Sequence, residues 1–452
     1  MRRKYRIQRA LTTPWLDLPY AKELEAINDL LTSQPTIGEL AAQDLADGDS
    51  ETGRPGMTGE EVIRALALKQ INQWSYTDLW FQLHDSQTAQ TFMGYGITSR
   101  IPSRSTLASN IKKISAETLE SIGRVILGVA ERAGVERGRK VRVDTTAVES
   151  NIHHPFESDQ LWDVVRVLTR LMRQARELTA GSLAITCADR TRRAKRRYRG
   201  VWNAKTKAKR NEQYRDLLTV TREVMAAAQR VAQLLEGHVT KEDGSSAKLA
   251  RIRAEIHRVL PLAESVCDTT RRRIADEPVA STEKVLSIFE AHTDVIRKDR
   301  RETIYGHKIC LTGGASLMIL DCKVFEGNPA DSSLAVDAVK RQHDLYGRVP
   351  RQVAFDGGFA SKVNLAEIKR LGVEDVAFSK RRGLEISSMT RSTWVYRRLR
   401  DFRAGIEGCI SFLKRCFGLE RCSWRSFASF KAYVHASVLS FNLLVLARHL
   451  IT

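Results

Sequence analysis

Two short apolar runs, each followed by an aspartate, most constrain the fold of this chain. The first is Val141-Arg142-Val143 before Asp144, and the second is Val353-Ala354-Phe355 before Asp356. Short runs of this kind, rich in β-branched and aromatic residues, are typical of buried strands. The pattern therefore predicts a sheet that carries a carboxylate at the end of each of two strands.

A third acidic residue, Glu407, lies on a predicted helix. At 100° per residue, Arg403, Glu407 and Lys414 fall within about 40° of one another, and Arg400 lies beside this stripe. Gly405 and Gly408 flank the glutamate, and each costs roughly 1 kcal/mol in a helix relative to Ala. Such glycines indicate that something bulky approaches the backbone. The alternative is an ordinary surface Arg–Glu pair, with the two aspartates serving only to cap turns.

Asp144, Asp356 and Glu407 together predict a metal site. Three carboxylates brought together without a cation would repel one another. Mg²⁺ prefers carboxylate oxygens and retains water and phosphate ligands, and we expect Mn²⁺ to substitute for it. Two such ions could activate the attacking oxygen and stabilise the leaving oxygen in a displacement at phosphorus. Four other acids also lie near predicted strand ends, namely Glu149, Asp321, Glu326 and Asp331. Of these, Asp331 is interpreted as the N-terminal residue of a helix.

The charge balance indicates a polyanionic partner. Lys and Arg outnumber Asp and Glu by 73 to 53, which gives a net charge of +20 and favours nucleic acid. Between Arg190 and Arg215 there are twelve basic residues and one acid, Glu212, with three aromatic residues interleaved. Phosphate contact is the favoured interpretation of this run, and a solvated helix face is the alternative. The predicted contacts are Arg192, Arg193, Lys195, Arg196, Arg197, Lys205, Lys207, Lys209 and Arg210.

Several other classes of protein find no support in the sequence. The seven cysteines are scattered without a CxxC pair, so a zinc ribbon or a disulfide framework is not expected, and a reducing cytoplasm fits. Neither a GxxxxGK[ST] loop nor a GxGxxG motif occurs. The most apolar segment, 432–447, is shorter than the roughly 20 residues of a membrane span and is interpreted as a buried helix. We expect a cytoplasmic, nucleoid-associated protein without a signal peptide or membrane partner.

The alternation of helical and strand patterns predicts an α/β (α+β) fold, in which a mixed sheet is flanked by helices. Residues 1–53 form a helical segment, and residues 54–135 an all-helical domain that serves in DNA binding or dimerisation. The catalytic core begins at 136–156, which includes a strand at 140–149, and resumes at 291–452. A basic helical insertion, 157–290, separates its two parts. A hairpin with strands 303–311 and 315–324 is predicted around the Thr312-Gly313-Gly314 turn.

Six stretches in this order resemble bacterial insertion-sequence transposases of the DDE type, closest to the ISNCY-like and IS-five-like groups. The likeness covers roughly residues 54–156 and 295–448. The stretches are Val143–His153, Tyr305–Lys308, Glu326–Ser332, Phe355–Ser361, Arg403–Gly408 and Lys414–Leu419.

The resemblance implies an RNase H-like core in which Asp144, Asp356 and Glu407 bind the metal ions. It also implies a DNA transposase that binds the ends of its insertion sequence, cleaves them and joins the 3′-OH ends to target DNA. Holding two ends together requires a homodimer or a larger synaptic assembly. Arg403, Glu407 and Lys414 match the signature helix of the family, and we expect Arg403, Lys414 and Arg400 to contact DNA phosphates.

Two positions depart from the pattern of the family. Arg400 stands where the family has Tyr, and Gly357 stands where Arg usually follows the second aspartate. A basic residue at 400 could still contact phosphate. The insertion is expected to cover the active site or to grip end DNA. The alternatives are a hydrolytic nuclease of the same fold and a non-catalytic DNA-binding remnant of a transposase.

Overall fold

The computed structural model describes residues 15, 17–46, 56–96, 98–179, 183–236, 244–298 and 302–451. They belong to two units, Met1–Ser150 with Lys298–Thr452 (unit 1) and Asn151–Arg297 (unit 2). The predicted helical segment 1–53 is therefore described only at residue 15 and residues 17–46, where it contains two helices.

The first half of unit 1 is helical up to its first strand. Its third helix begins at a capping box, in which Thr58 and Glu61 each accept a hydrogen bond from the backbone NH of the other. The elements are α1 (Pro19–Ser33), α2 (Pro35–Leu45), α3 (Gly59–Ile71), α4 (Tyr76–Asp85), α5 (Gln87–Phe92), α6 (Arg104–Lys113), α7 (Ala116–Arg132) and strand β1 (Lys140–Glu149).

Unit 2 consists mainly of four helices with a hydrophobic core of their own. These are α8 (Glu157–Thr179), α9 (Thr191–Asn203), α10 (Lys207–Glu236) and α11 (Gly244–Ile274). Strand β2 (Asp294–Lys298) lies where unit 2 passes into unit 1.

The second half of unit 1 alternates strands and helices and completes the sheet. Its elements are β3 (Glu302–Gly313), β4 (Ile319–Val324), α12 (Ala335–Tyr346), β5 (Gln352–Phe355), α13 (Lys362–Arg370), β6 (Asp375–Phe378), α14 (Ile386–Met389), α15 (Thr393–Cys416) and α16 (Phe427–Ile451). The fold class predicted from the sequence, a mixed sheet flanked by helices with a helical N-terminal region, is confirmed.

Five strands of unit 1 follow the order β4–β3–β1–β5–β6 among the described residues. The pairs β1–β3 and β3–β4 are antiparallel, whereas β1–β5 and β5–β6 are parallel. Helix α15 packs on β1, β5 and β6. The centre of the sheet thus brings the two apolar runs side by side under one helix.

The hairpin between β3 and β4 differs from its prediction. Strand β3 continues to Gly313 and β4 begins only at Ile319, because a contact from elsewhere in the chain fixes the turn. Glu136 Oε2 accepts hydrogen bonds from the backbone NH and the hydroxyl of Ser316, at 2.9 and 2.7 Å. A Cβ atom on Gly314 would lie 2.1 Å from the same carboxylate oxygen. The local turn signal at 312–314 was therefore overridden.

The apolar C-terminal segment forms the long helix α16, which packs against α1, α3, α7 and β4. Among the described residues it is the one helix long and apolar enough to cross a membrane, and 67% of its most apolar window is buried within the protein. Such burial is typical of a core helix. The hydrophobic core of unit 1 runs without interruption from the N-terminal helices through the sheet to α16. Residues 54–135 therefore share their core with the sheet.

Candidate active site

Asp144 and Asp356 lie next to each other across the parallel pair of strands β1 and β5. The last residues in register are Val143 and Phe355, and each aspartate directly follows its member of this pair. Because parallel strands run in the same direction, both carboxylates reach the same edge of this part of the sheet.

Asp144 is not at the end of its own strand, contrary to the prediction. Strand β1 continues to Glu149 because its other edge stays paired with β3, where Asp144 opposes Leu311. Asp356 does leave its strand. Its side chain caps the short 3-10 helix Gly357–Phe359 by accepting from Gly358 N at 3.4 Å. Asp144 is accordingly held on a rigid strand, whereas Asp356 begins a turn.

Glu407 reaches the same place from helix α15, and Arg403 lies one turn before it. Arg403 Nη1 is 2.5 Å from Glu407 Oε1. The side chain of Glu407 is 60% exposed, whereas those of Arg403 and Asp144 are only 15% and 13% exposed. Glu407 is thus the outermost member of the set.

The guanidinium of Arg403 contacts all three acidic residues. Its Nη2 atom lies 2.8 Å from Asp144 Oδ2 and 3.0 Å from Asp356 Oδ1, so these two oxygens are closer together than the sum of the two distances. Its Nη1 atom binds Glu407. The structure therefore gathers the three acids named from the sequence around a single cation.

The cation at the centre of the cluster is a side chain. Within the described ranges, no group of three or more His, Cys, Asp and Glu residues is arranged to hold a metal ion. The two terminal nitrogens of Arg403 lie among the three carboxylates and contact an oxygen of each. The carboxylate-only composition of the set still suits a hard divalent ion.

The two aspartates differ in their readiness to ionise. The pKa of Asp144 is raised to about 6, chiefly by burial and to a smaller extent by the charges of Asp356 and Glu407, against the opposing effects of Arg403 and the backbone NH of Thr145. Burial acts in the same direction on Asp356. However, hydrogen bonds from Ser379 and the backbone of Gly357, together with Arg403, bring the Asp356 pKa below its usual value. Asp356 thus loses its proton readily, whereas Asp144 loses its proton only at a higher pH.

A second acid–base cluster adjoins Asp144, and the sequence did not reveal it. Asp331 Oδ1 accepts hydrogen bonds from Thr145 Oγ1 and Lys308 Nζ, both at 3.0 Å. Asp331 also lies against Gly358, where a Cβ atom would be 2.6 Å from Asp331 Oδ2. Asp331 begins a 3-10 helix, as its position suggested, but its side chain also ties β1 to the turn that follows Asp356. In the sequence, the position of Asp331 near a predicted strand end was the one indication of this role.

Three other residues of helix α15 differ in burial and in their contacts. Lys414 is mostly buried and lies 3.7 Å from Glu420, and Arg400 is exposed. Tyr396 is buried, and its hydroxyl donates to Phe378 O at 3.0 Å. It therefore anchors α15 to β6 and does not replace the tyrosine that the family has at position 400.

Lys380 fills the space beside Gly357. A Cβ atom at 357 would lie 2.6 Å from Lys380 Cβ and 2.8 Å from its Cγ, so the lysine stem packs directly on the glycine backbone. The side chain of Lys380 is exposed, and its neighbour Ser379 donates to Asp356 Oδ1 at 2.9 Å. A basic residue therefore stands beside the second aspartate, although the position directly after that aspartate is glycine.

In unit 2, the basic residues of helix α9 fall into two groups, of which one binds an acidic residue and the other faces solvent. Arg193 and Arg197 both form ion pairs with Asp216 of α10. Four other basic residues of the helix are exposed and form no ion pair within the described part of the chain, namely Arg192, Lys195, Arg196 and Arg199. They fall within about 100° of the helix circumference, and we call them the α9 basic face.

The basic residues after α9 are also exposed. Lys207 forms an ion pair with Asp276 at 2.6 Å, and Arg210 Nη2 lies 3.4 Å from Ala204 O. Lys205 and Lys209 are exposed as well. The predicted phosphate-binding residues thus lie on the surface of unit 2, although three of them, Arg193, Arg197 and Lys207, are engaged with acids.

Comparisons with known proteins identify two transposase domains in the chain. Residues 266–443 match the family model described as Transposase DDE domain, and residues 17–113 match that described as Transposase domain (DUF772). The first match includes Asp356 and Glu407 and begins after Asp144 in the chain. No curated protein and no solved structure matches the chain. The DDE domain implies an RNase H-like fold, in agreement with the mixed sheet. The two domain matches confirm the resemblance to insertion-sequence transposases of the DDE type that the sequence motifs indicated.

Proposed function

We propose that this transposase binds the ends of its insertion sequence, cleaves them by Mg²⁺-dependent phosphodiester hydrolysis and joins the 3′-OH ends to target DNA. Asp144, Asp356 and Glu407 are the proposed metal ligands, and Mn²⁺ is expected to substitute for Mg²⁺. The observation that carries the proposal is the convergence of these three carboxylates on the guanidinium of Arg403.

The composition of the cluster fits a divalent ion. Three carboxylates and one guanidinium carry a formal charge of −2 when all are ionised, so the arginine alone does not neutralise the set. Mg²⁺ takes oxygen ligands and keeps water in its shell, which suits acids that are partly open to solvent. When bound, such ions supply activation of the attacking oxygen and stabilisation of the leaving oxygen at phosphorus.

The residues of the chain contribute position and charge. Strand β1 fixes Asp144, the hydrogen bonds of Ser379 and Gly358 orient Asp356, and helix α15 presents the exposed Glu407. Arg403 holds the acids together and becomes available to a DNA phosphate when it leaves them, since a guanidinium binds phosphate oxygens in the same geometry as carboxylates.

The surface charge of unit 2 supports binding of double-stranded DNA. The α9 basic face presents four cations to solvent, and Trp202 on the same helix is 52% exposed. Phosphate contacts of this type supply affinity without sequence information. A dimer or larger assembly is proposed because two element ends must be held for joining to one target.

The proposal is tested with DNA that flanks the reading frame and contains candidate terminal repeats. We expect Mn²⁺- or Mg²⁺-dependent nicking by the native protein. The variants Asp144→Asn, Asp356→Asn and Glu407→Gln should lose it by at least about 100-fold while still binding the DNA. Asp401→Asn is the matched control, because Asp401 is an exposed acid on the same helix. Nicking retained by a variant would exclude that residue from the site.

A second assay separates the proposed activity from the two alternatives. Precut ends with a free 3′-OH are incubated with supercoiled plasmid, and joined products are scored. Hydrolysis without joining would identify a nuclease of the same fold. DNA binding without nicking in either metal would identify a non-catalytic remnant.

A further inference from the structure

Arg142 lies buried between the central strand β1 and the helix that carries Glu407. Alternate residues of a strand share one face, so Lys140, Arg142 and Asp144 all point toward α15. Arg142 is only 3% exposed, and its Nη1 atom donates to the backbone carbonyl of Phe402 at 3.0 Å. A charged side chain therefore contacts the backbone of α15 immediately before Arg403.

The ring of Phe402 is held by two cations from the same strand. Lys140 Nζ lies 4.3 Å and Arg142 Cζ 4.6 Å from the ring centroid. Cation–π contacts of this kind are directional, because the cation prefers the face of the ring. They fix the side of α15 that faces β1, and Arg403 follows directly on this turn.

Gly405 makes room for the guanidinium of Arg142. A Cβ atom at position 405 would lie 2.0 Å from Arg142 Nη1 and 3.0 Å from its Cζ, so a side chain there would require the guanidinium of Arg142 to shift. Gly408, the other glycine beside Glu407, has nothing within 4 Å of its virtual Cβ. The two glycines thus differ, because a methyl group at position 405 would displace Arg142, whereas one at position 408 would meet no atom of the chain within 4 Å.

The position of Arg142 is unfavourable for stability alone. Its Nε and Nη2 atoms have no oxygen acceptor among the described residues, and burial of an incompletely bonded guanidinium is costly. An apolar side chain of similar volume would fill the space without that cost. The hydrogen bond from Nη1 is directed at the turn of α15 between Phe402 and Gly405, and the thiol of Cys409 on the same helix also lies beside the guanidinium.

We propose that Arg142 is a positioning residue, which sets the height and rotation of the Phe402–Gly405 turn so that Arg403 and Glu407 face Asp144. It acts through α15, because its hydrogen bond and its ring contact go to Phe402 and not to the three acids. The inference rests on the proposed function, since the property it controls is the alignment of the metal ligands.

The test of this proposal compares the same glycine-to-alanine change at two positions of helix α15. Gly405→Ala and Gly408→Ala both replace a helical glycine on α15, so both gain the same helix propensity. Only the first pushes against Arg142. Affinity for Mn²⁺ alone is measured by titration calorimetry, and thermal unfolding is followed in EDTA.

We expect Gly405→Ala to weaken Mn²⁺ binding by at least about fivefold and Gly408→Ala to change it less than about twofold, because a displacement of about 1 Å disrupts ligand geometry. Arg142→Ala should weaken binding as well. In the Arg142→Ala background, Gly405→Ala should cost less than about twofold, because residues in contact show non-additive effects. Arg142→Lys, which keeps a donor for Phe402 O, should restore part of the affinity.

Three outcomes would overturn the proposal. Equal effects of the two glycine variants would show that Arg142 does not set the turn, and so would additive effects in the double variant. Loss of Mn²⁺ affinity that merely follows loss of thermal stability would indicate a packing role, and Arg142→Met, which fills the same space, would then behave as the native protein. Failure of the native protein to bind Mn²⁺ would instead refute the proposed function.

Discussion

Arg403 Nη2 and Asp144 Oδ2 lie 2.8 Å apart, although 259 positions separate the two residues in the chain. The same nitrogen lies 3.0 Å from Asp356 Oδ1. A guanidinium shared in this way offsets the repulsion that would otherwise separate the carboxylates. Arg403 therefore holds the three carboxylates together, and a divalent ion would compete with it for the same oxygens.

Replacement of Arg403 by Gln should destabilise the protein in a chelator and much less in Mg²⁺. In EDTA we expect a loss of about 1–3 kcal/mol in the free energy of unfolding, because the variant leaves carboxylates without a cation. Mg²⁺ should narrow this difference, since an ion can take the place of the guanidinium. Denaturant unfolding with and without Mg²⁺ measures both values.

Arg400→Gln is the control for this comparison, because Arg400 is exposed on the same helix. Its effect should stay below about 0.5 kcal/mol in both conditions, as for most surface substitutions. An Arg403→Gln loss that is identical in EDTA and in Mg²⁺ would contradict competition between the arginine and the ion.

Asp144 should make the ion-free protein less stable as the pH rises from about 4 to above 6. Its folded-state pKa of about 6 lies above 3.8, the ordinary value for an aspartate. The folded protein therefore retains a proton that the unfolded chain has already lost. The resulting stabilisation is fully present below 3.8 and disappears as the pH rises through 6. This stabilisation is on the order of 2–3 kcal/mol in the free energy of unfolding.

Asp144→Asn isolates this contribution, because the amide does not titrate. We expect the difference in unfolding free energy between the native protein and this variant to change across pH 4 to 7 in EDTA. Asp356→Asn should behave in the opposite sense, since the Asp356 pKa is lowered and its contribution is lost as the pH falls. A difference that is flat with pH for Asp144→Asn would mean that this carboxyl titrates normally.

Much of the site follows from local sequence patterns. The apolar runs before Asp144 and Asp356 predicted two strands, which the structure pairs in parallel, and helical spacing predicted that Arg403 and Glu407 share a face. These features depend on periods of two and 3.6 residues, which a sequence displays directly.

The remaining features depend on contacts between distant residues. Neither the reach of Arg403 to Asp144 nor the bond from Arg142 to Phe402 O follows from periodicity, because each depends on how α15 is rotated over the sheet. One signal was available, since Arg142 is a charged residue inside an apolar strand. The expectation that a bulky group approaches the backbone is confirmed for Gly405, where the group is Arg142, whereas the space beside Gly408 is open and the expectation there stays a prediction.

Asp331 should support the site through Thr145. The hydrogen bond from Thr145 Oγ1 to Asp331 Oδ1 joins β1 to the segment beside Gly358, and Lys308 neutralises the acid. Thr145→Val should cost about 1 kcal/mol, whereas Asp331→Ala should cost about 1–3 kcal/mol because it leaves the partly buried Lys308 without its acid. Urea unfolding of the two single variants and the double variant measures the coupling. Additive losses would show that the Thr145–Asp331 bond contributes nothing of its own.

The α9 basic face should account for a large part of the salt dependence of DNA binding. Each phosphate neutralised by Lys or Arg contributes about 0.9 to the slope of log K against log salt for duplex DNA. Replacing Arg192, Lys195, Arg196 and Arg199 together by Gln should therefore reduce the slope by about 3 to 4 and weaken binding at low salt. A duplex of random sequence suffices as the probe, because these contacts carry no sequence information.

Arg193 and Arg197 provide the matched control for the basic face, since they lie on the same helix but bind Asp216. Their replacement by Gln removes two positive charges and should change the slope by less than about one, because paired cations release few counterions from DNA. The same variant should lower the stability of unit 2, because Asp216 is only 23% exposed and would lose both partners. Equal reductions in slope for the two sets would mean that the ion pairs open on DNA and that the whole basic run contacts phosphate. An unchanged slope for the fourfold variant would mean that the α9 basic face remains in solvent, and the surface that binds DNA would then have to lie elsewhere on the protein.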